Sequence, residues 1–420
     1  MTLPSSLASK AVSTTWASLR SRVVWLLGSL ALGGGSLQAA ENVPSAAAAP
    51  ASPYRQWTNG PAAAPNFFPI AVWLQSPANA ARYRQAGFNL YVGLWRGPTE
   101  SQLATLKAAD LRVICEQNAV ALRHLDDPTI AGWMHGDEPD NAQSLGEGKG
   151  YGPPISPAKI IADYEKLRAR DPSRPVLLNL GQGVAWDDWH GRGVRTRHPE
   201  DYAEYAKGGD IVSFDIYPVT HDRPAVSSNL WFVARGVDRL RQWTHGEKPV
   251  WNCIECSRIS HPTAKPTPHQ IRAEVWMSLI HGSRGLIYFV HQWVPQFSES
   301  ALLNDPELLA AVTALNRQIQ ELAPVLNLPS QPELVTASST APEVPVDVMV
   351  KRRGREVFVF AVAMRAKPTE GRFALPGLKG DASVEVLGEK RTLTAKDGAF
   401  QDRFAPWDVH LYRLPTGAPE

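Results

Sequence analysis

The chain has 420 residues, enough for two or three domains, because single domains usually contain ~100 to 200 residues and barrels often exceed 200. Its contents of 44% hydrophobic and 20% charged residues are typical of a globular protein and exclude disordered and collagen-like classes. The net charge of +2 falls to about −1 if Lys10, Arg20 and Arg22 are removed with the segment described next. Neither nucleic acid nor acidic lipid is therefore indicated as a partner.

Residues 1–40 are predicted to form a signal peptide. They contain no acidic side chain, a basic stretch ends at Arg22, an apolar run follows over 23–32, and small residues come next at Ala39, which is the secretory pattern. The apolar run is shorter than the ~20 residues that span a membrane. We expect export to the periplasm or the extracellular space, with no stable membrane association after cleavage. An uncleaved anchor is the alternative, because Leu37 stands where a small residue is preferred.

Residues 41–65 are rich in Ala and Pro and show no apolar period, which predicts a linker. From there the sequence alternates short runs of Val, Ile and aromatic residues with helical stretches, the pattern of a parallel sheet. Eight strands are predicted, at 67–74, 89–95, 112–117, 130–135, 176–180, 211–217, 250–255 and 285–292.

Helices are predicted between these strands. Ser76-Pro77, Ser156-Pro157 and Asp305-Pro306 each place a capping residue before a Pro at the first helical position. The clearest helices are at 78–86, 100–109, 158–170, 229–244, 267–281 and 306–322. Eight βα units over residues 66–328 have the size of a (β/α)₈ TIM barrel. A dinucleotide-binding sheet is disfavoured because no Gly-rich loop follows the first strand.

The last part of the chain, residues 340–416, changes to short, partly alternating runs separated by turn signals such as Arg353-Gly354. This pattern predicts a small antiparallel β-sandwich. The predicted fold class is thus α/β, a TIM barrel followed by a β-sandwich. The three cysteines cannot all pair, so no disulfide framework is expected.

Two carboxylates stand at predicted strand ends. Glu138 closes the segment WMHGDE at 133–138 after strand four, and Glu255 closes the segment WNCIE at 251–255 on strand seven. In a TIM barrel the reactive groups lie at the C-terminal ends of the strands. Glycoside hydrolysis needs two carboxyl groups that flank one bond. Either Glu taken alone is equally explained as a solvated loop residue.

The chain resembles the large clan of retaining glycoside hydrolases built on (β/α)₈ barrels, over roughly residues 67 to 325. This resemblance implies that Glu138 is the acid/base and Glu255 the nucleophile. It also implies that Tyr217, in the segment FDIYP, orients the nucleophile and that Trp293, in the segment HQW, forms the floor of the sugar site.

Asp137 departs from the clan's pattern, which usually has Asn immediately before the acid/base. Its negative charge beside Glu138 should raise the pKa of one of the two groups. Asp137 could accept a hydrogen bond from a sugar hydroxyl. It could also be the proton donor itself, and the sequence leaves both roles open.

Further substrate contacts are expected around the barrel mouth, because Trp has a flat apolar face with an N–H group and suits a sugar. The polar, Gly-rich segment 181–197 is interpreted as an active-site loop. For each Trp a place in the core is the competing interpretation. The predicted substrate-binding residues are Trp73, Trp95, His135, Asn179, Trp186, Trp189, Asp215, His291 and Trp293.

The sequence therefore predicts an exported glycosidase that cleaves O-glycosidic bonds in a poly- or oligosaccharide by a retaining mechanism, without metal or cofactor. Two alternatives remain at this point. One is a carbohydrate-binding barrel without turnover. The other is a metal-dependent barrel hydrolase using histidines near the mouth, such as His221 and His261, although the first strand lacks a His-x-His pair. The sequence does not define the oligomeric state.

Overall fold

Eight parallel strands form one sheet in the order β6-β5-β4-β3-β2-β1-β8-β7. The structure is a computed structural model that describes residues 52–415. A parallel bridge between Val212 and Val250 joins the two outer strands and closes the sheet into a barrel. The predicted barrel is confirmed. Its strands are β1 (Ile70–Trp73), β2 (Leu90–Val92), β3 (Arg112–Cys115), β4 (Ile130–Met134), β5 (Val176–Leu180), β6 (Ile211–Phe214), β7 (Trp251–Glu255) and β8 (Gly285–Phe289).

Helices surround the barrel, and the predicted ones are present with shifts of a few residues at their ends. The short α4 was not predicted, because five residues are too few to show a helical period. Capping boxes at Thr99 and Thr267 begin α2 and α6. The helices are α1 (Ala80–Gln85), α2 (Glu100–Ala108), α3 (Pro157–Arg170), α4 (Asp201–Tyr205), α5 (Phe232–Trp243), α6 (Pro268–Ile280) and α7 (Pro306–Leu326). No helix within residues 52–415 combines the length and apolarity that a membrane crossing requires.

The barrel interior is filled by side chains from alternate strand positions, as strand geometry requires. On β1, Ala71 and Trp73 belong to this inner layer, whereas Ile70 and Val72 belong to the core between sheet and helices. Both faces are buried, which is why the strands appear in the sequence as continuous apolar runs.

The N-terminal end of the barrel is covered by part of the segment predicted to be a linker. Tyr54 and Trp57 are buried in the inner layer. The Tyr54 hydroxyl donates to the carbonyl of Arg284 and accepts from Nε1 of Trp251, at 2.7 and 2.9 Å. The linker prediction is therefore wrong from residue 52 onward, because two aromatic residues anchor this otherwise Ala- and Pro-rich stretch. Residues 41–51 and the predicted signal peptide lie outside the described residues.

The C-terminal region forms two antiparallel sheets, with strand orders β10-β11-β16-β13-β14 and β15-β12-β9. They enclose a core of their own, and Phe360 stacks on Trp276 of α6 with ring centroids 5.2 Å apart. The predicted sandwich is confirmed, and its first strand begins four residues before the predicted boundary of 340. The strands are β9 (Thr336–Ser339), β10 (Val346–Arg353), β11 (Glu356–Ala363), β12 (Thr369–Ala374), β13 (Ala382–Val386), β14 (Arg391–Ala395), β15 (Ala399–Phe404) and β16 (Val409–Pro415).

Candidate active site

A cavity of about 970 Å³ opens at the C-terminal ends of the barrel strands. This is the face at which TIM-barrel enzymes carry their active sites. Ten residues predicted from the sequence lie on its wall: Trp73, Trp95, Asp137, Glu138, Asn179, Trp189, Asp215, Tyr217, His291 and Trp293. The other wall residues include Gln75, Gln102, Gln182, Cys253, Ile259, Phe289, Phe297 and Glu299. The wall thus combines acidic, amide and aromatic side chains.

Glu138 and Asp215 approach each other at this cavity from the loops after β4 and β6, close enough for each carboxyl group to shift the pKa of the other. Glu138 has a positive φ of 41°, a backbone conformation that L residues with a side chain seldom adopt. Such strain is often found at functional sites. Asn141 Nδ2 donates to Glu138 Oε2 at 2.8 Å, and Trp189 Nε1 donates to Asn141 Oδ1 at 2.9 Å. This chain of contacts fixes the Glu138 side chain.

The surroundings of this pair raise both pKa values. Loss of hydration is the main cause for Glu138, and the neighbouring Asp215 adds to it, so the pKa of Glu138 lies well above its usual range. Burial also raises the pKa of Asp215, to about 7, while hydrogen bonds from Glu138 and Tyr217 hold it down. Near neutral pH the proton of the pair therefore resides on Glu138, and Asp215 is the partner that ionises first.

Asp137 is another of the carboxyl groups on the cavity wall and is exposed on the open side of the cavity. Asn179 of β5 donates to Asp137 at 3.0 Å and accepts from Ser213 Oγ at 2.7 Å. The enclosing protein and the charge of Asp140 raise the pKa of Asp137 to about 6, against the opposing Asn179 hydrogen bond. Asp137 is thus held in place and ionised at neutral pH.

Glu255 does not face Glu138 across the cavity, which corrects the expected geometry of the pair. Its side chain is fully buried and absent from the cavity wall. Its carboxylate accepts from the amide N–H of Val219 at 2.6 Å and from the amide and hydroxyl of Thr220 at 3.0 and 2.7 Å. On its other side it faces Glu274 of α6, whose two buried carboxyl oxygens have no hydrogen-bond partner among residues 52–415. Its position at the strand end was predicted, but the loop that covers it was not.

Two other predicted contacts also lie off the cavity wall. The His135 ring contacts the carbonyl of Ile160 at 3.2 Å through Nε2 and accepts from the Gly136 amide at 2.8 Å through Nδ1. Both ring nitrogens are therefore engaged with backbone. Trp186 is buried with its ring edge-on to His221 at 5.2 Å. For Trp186 the core interpretation is the correct one.

Aromatic rings form one side of the cavity. Trp293 stacks on Phe289 and on His291, each with ring centroids 5.7 Å apart, and Phe297 lies 6.3 Å away. Trp293 keeps 46% of its surface exposed, and Trp95, after β2, keeps 67%. Flat apolar surfaces of this kind are unusual on a protein exterior unless they bind something.

Several site residues were missed by the sequence reasoning. Gln75, the second residue after β1, contacts His291 at 3.3 Å and accepts from the Tyr83 hydroxyl at 2.6 Å. Asn141 was missed although it lies only three residues after Glu138. The sequence signal for both residues was their position just beyond a strand end. Amide side chains are common in loops, so this position alone does not identify a site residue.

His, Cys, Asp and Glu side chains of residues 52–415 form no group of three or more that could hold a metal ion. The three cysteines are buried and unpaired. Cys253 lies on the cavity wall, and burial raises its thiol pKa well above the usual range. Its thiolate form is therefore disfavoured at neutral pH.

No family model matches the chain. No curated protein matches it either. Solved structures share its fold. An α-amylase from Geobacillus thermoleovorans in complex with acarbose is 11% identical, with a TM-score of 0.50, and the match covers 87% of this chain and all of that one. A variant of AmyP in complex with maltotriose is 10% identical, with a TM-score of 0.52, and the match covers 84% of this chain and 98% of that one. At such identities the likeness shows the fold alone.

Proposed function

We propose that the chain is a glycoside hydrolase that cleaves O-glycosidic bonds in an oligo- or polysaccharide. The observation that carries the proposal is the Glu138–Asp215 pair, two carboxyl groups with raised pKa values in a cavity lined by exposed Trp rings. Hydrolysis of a glycosidic bond needs one protonated and one ionised carboxyl group. One similar structure is an α-amylase bound to acarbose and the other, AmyP, holds maltotriose, and both fit this reaction class.

Glu138 is proposed as the acid/base, the role predicted from the sequence. Its raised pKa keeps it protonated at neutral pH, so it can donate a proton to the leaving oxygen. Asn141 holds one carboxyl oxygen. When substrate enters, the proton of Glu138 would be directed to the glycosidic oxygen.

Asp215 is proposed as the nucleophile, in place of Glu255. It is the group of the pair that ionises first, and its pKa is lowered by the neighbouring Tyr217, the residue expected to orient the nucleophile. Its carboxylate would attack the anomeric carbon as the leaving group departs, and water activated by Glu138 would then release the sugar with retained configuration. Proton NMR of the first product would test this stereochemistry.

Asp137 and Asn179 are proposed to bind sugar hydroxyls. The carboxylate of Asp137 is ionised, exposed to the cavity and fixed by Asn179 at 3.0 Å, so it can accept hydrogen bonds from the substrate. The exposed faces of Trp293 and Trp95 would stack against sugar rings.

The test is activity of the purified protein on aryl glycosides and on plant, algal and bacterial polysaccharides. An activated 2-deoxy-2-fluoro glycoside of an accepted sugar should label the nucleophile covalently, and peptide mass spectrometry should find the label on Asp215. A label on Glu255 or Asp137 would reassign the nucleophile. Binding of sugars without any turnover would replace the hydrolase by a carbohydrate-binding barrel.

Export by the N-terminal signal is also a proposal, supported by the sequence pattern of residues 1–40. Expression of the full chain in a bacterial host with a functioning secretion system should give a protein in the periplasm or medium whose N-terminus lies near residue 40. Retention of the full-length chain in the membrane fraction would indicate the uncleaved anchor instead.

A further inference from the structure

A second, smaller cavity of about 130 Å³ lies at the N-terminal end of the barrel, beside the C-terminal sandwich. Its wall combines residues that precede β8, the end of α7, and Lys351 of β10. It is therefore separate from the proposed active site, which occupies the other end of the strands.

Four cationic side chains line this small cavity: Arg241, Lys248, Arg284 and Lys351. The described hydrogen bonds of these side chains all go to backbone carbonyl oxygens. Arg241 donates to His281 at 2.8 Å, Arg284 to Leu326 at 3.3 Å, Lys351 to Leu328 at 2.5 Å, and Lys248 to Ala206 and Gly209 at 2.8 and 2.6 Å.

Within residues 52–415, no carboxylate forms an ion pair with Arg241, Arg284 or Lys351. Asp210 and Glu247 act on Lys248, but Arg241 and Arg284 act on Lys351 as like charges. Burial, together with these two arginines, lowers the pKa of Lys351 to about 7. Lys351 is only 1% exposed, and buried charges are normally paired.

The carbonyl groups at helix ends provide part of the compensation. Leu326 is the last residue of α7, and His281 follows α6, so their carbonyls lie at the negative ends of helix dipoles. Each such end carries only about half a charge. Capping of helix ends alone therefore leaves Arg241, Arg284 and Lys351 with excess positive charge around one space.

We propose that this cavity binds one tetrahedral oxyanion, phosphate or sulfate, between Arg241, Arg284 and Lys351. Arginine presents a fork of N–H donors that matches such oxygens, and lysine adds a point charge. A cavity of about 130 Å³ is large enough to hold a single oxyanion. The bound anion would tie β10 of the sandwich to the barrel.

Thermal unfolding of the full chain is measured at pH 7 in sodium phosphate or sodium sulfate. The Tm values are compared with those in sodium chloride at equal ionic strength. We expect the oxyanions at millimolar concentration to raise Tm by about 2 °C or more, because a ligand that binds only the folded state stabilises it, and chloride to leave Tm unchanged. Methyl phosphate, as a further arm, separates a free ion from an ester. A larger shift with the ester would identify a phosphorylated ligand as the source of the anion.

The variant Lys351→Met keeps the length of the side chain and removes its charge. We expect it to abolish the oxyanion-dependent rise. If that variant fails to fold, Arg241→Gln serves the same purpose, since Arg241 is exposed and its loss does not open the core. This variant should bind the oxyanion at least about tenfold more weakly. Equal Tm shifts with oxyanions and chloride, or an unchanged oxyanion response in the folded variant, would overturn the proposal.

Discussion

The carboxyl groups of Glu138 and Asp215 lie so close together beyond the ends of β4 and β6 that each shifts the pKa of the other. Their surroundings differ, since Asn141 donates a hydrogen bond to Glu138 and Tyr217 acts to lower the pKa of Asp215. This difference separates their pKa values, and such a separation commonly assigns one group as acid and the other as base or nucleophile.

Asp215→Asn should lower kcat by at least about a thousandfold, because the neutral amide cannot attack the anomeric carbon. Glu255→Gln is the matched control, because Glu255 is buried beneath the Val219–Thr220 loop and lies off the cavity wall. It should keep kcat within about tenfold of the parent. Steady-state kinetics with circular dichroism as a check on folding decide between them. If kcat falls further in folded Glu255→Gln than in Asp215→Asn, the nucleophile is Glu255 on β7.

Glu138→Gln should lose most activity on substrates whose leaving group must be protonated before it departs. Glycosides with poor leaving groups should slow by about a hundredfold to ten-thousandfold. Aryl glycosides with an acidic phenol need little protonation and should be far less affected in the first step. The ratio of kcat/KM for the two substrates measures this difference. An equal loss for both would mean that Glu138 positions the substrate without donating the proton.

The pH profile should follow the ionisation of the pair. Asp215 must be ionised, so activity should fall as pH drops through about 7. Glu138 must be protonated, so activity should fall again at a pH well above the usual pKa of a Glu side chain. These limits belong to the pair as a unit. In Asp137→Asn one charge that raises the pKa of Asp215 is gone, so the acidic limb of kcat/KM should move to lower pH. An unmoved limb would contradict this coupling.

Trp293→Ala should raise KM about tenfold with little change in kcat, if the exposed ring contributes stacking and not chemistry. Tyr151→Ala provides the control, because Tyr151 is 76% exposed and is not part of the cavity wall. Its kinetic constants should match those of the parent. Unchanged KM values in Trp293→Ala on every accepted polysaccharide would show that this ring does not contribute to substrate binding.

The barrel was predictable because its strands are buried on both faces and therefore appear as apolar runs, and ten wall residues follow from their positions near strand ends. The position of Glu255 on β7 was predictable in the same way. Its burial was not, since it depends on where the Val219–Thr220 loop settles, and loop paths leave no periodic signal. Similarly, Tyr54 and Trp57 were hidden in a stretch whose average composition predicts a linker.

The buried pair of Glu255 and Glu274 should make stability depend on pH. Burial raises the pKa of Glu255 to about 7 and that of Glu274 well above its usual range. Between pH ~4.5 and 7 the folded state therefore binds more protons than the unfolded state, and stability contributed by these groups falls as pH rises. Glu274→Gln removes one of the charges, so the variant should be more stable than the parent at pH 8, by on the order of 1 to 3 kcal/mol.

Urea unfolding of the parent and of Glu274→Gln at pH 5 and pH 8 measures this effect. The difference in free energy of unfolding should shrink at pH 5, where both carboxyl groups are protonated in the folded parent. Glu165→Gln, an exposed position on α3, should show little difference at either pH. A Glu274→Gln variant that is less stable than the parent at pH 8 would mean that Glu274 stays protonated above pH 7 and stabilises the Glu255 carboxylate. In that case Glu274 keeps its proton throughout the neutral range, because both side chains are fully buried and no solvent can stabilise a second charge.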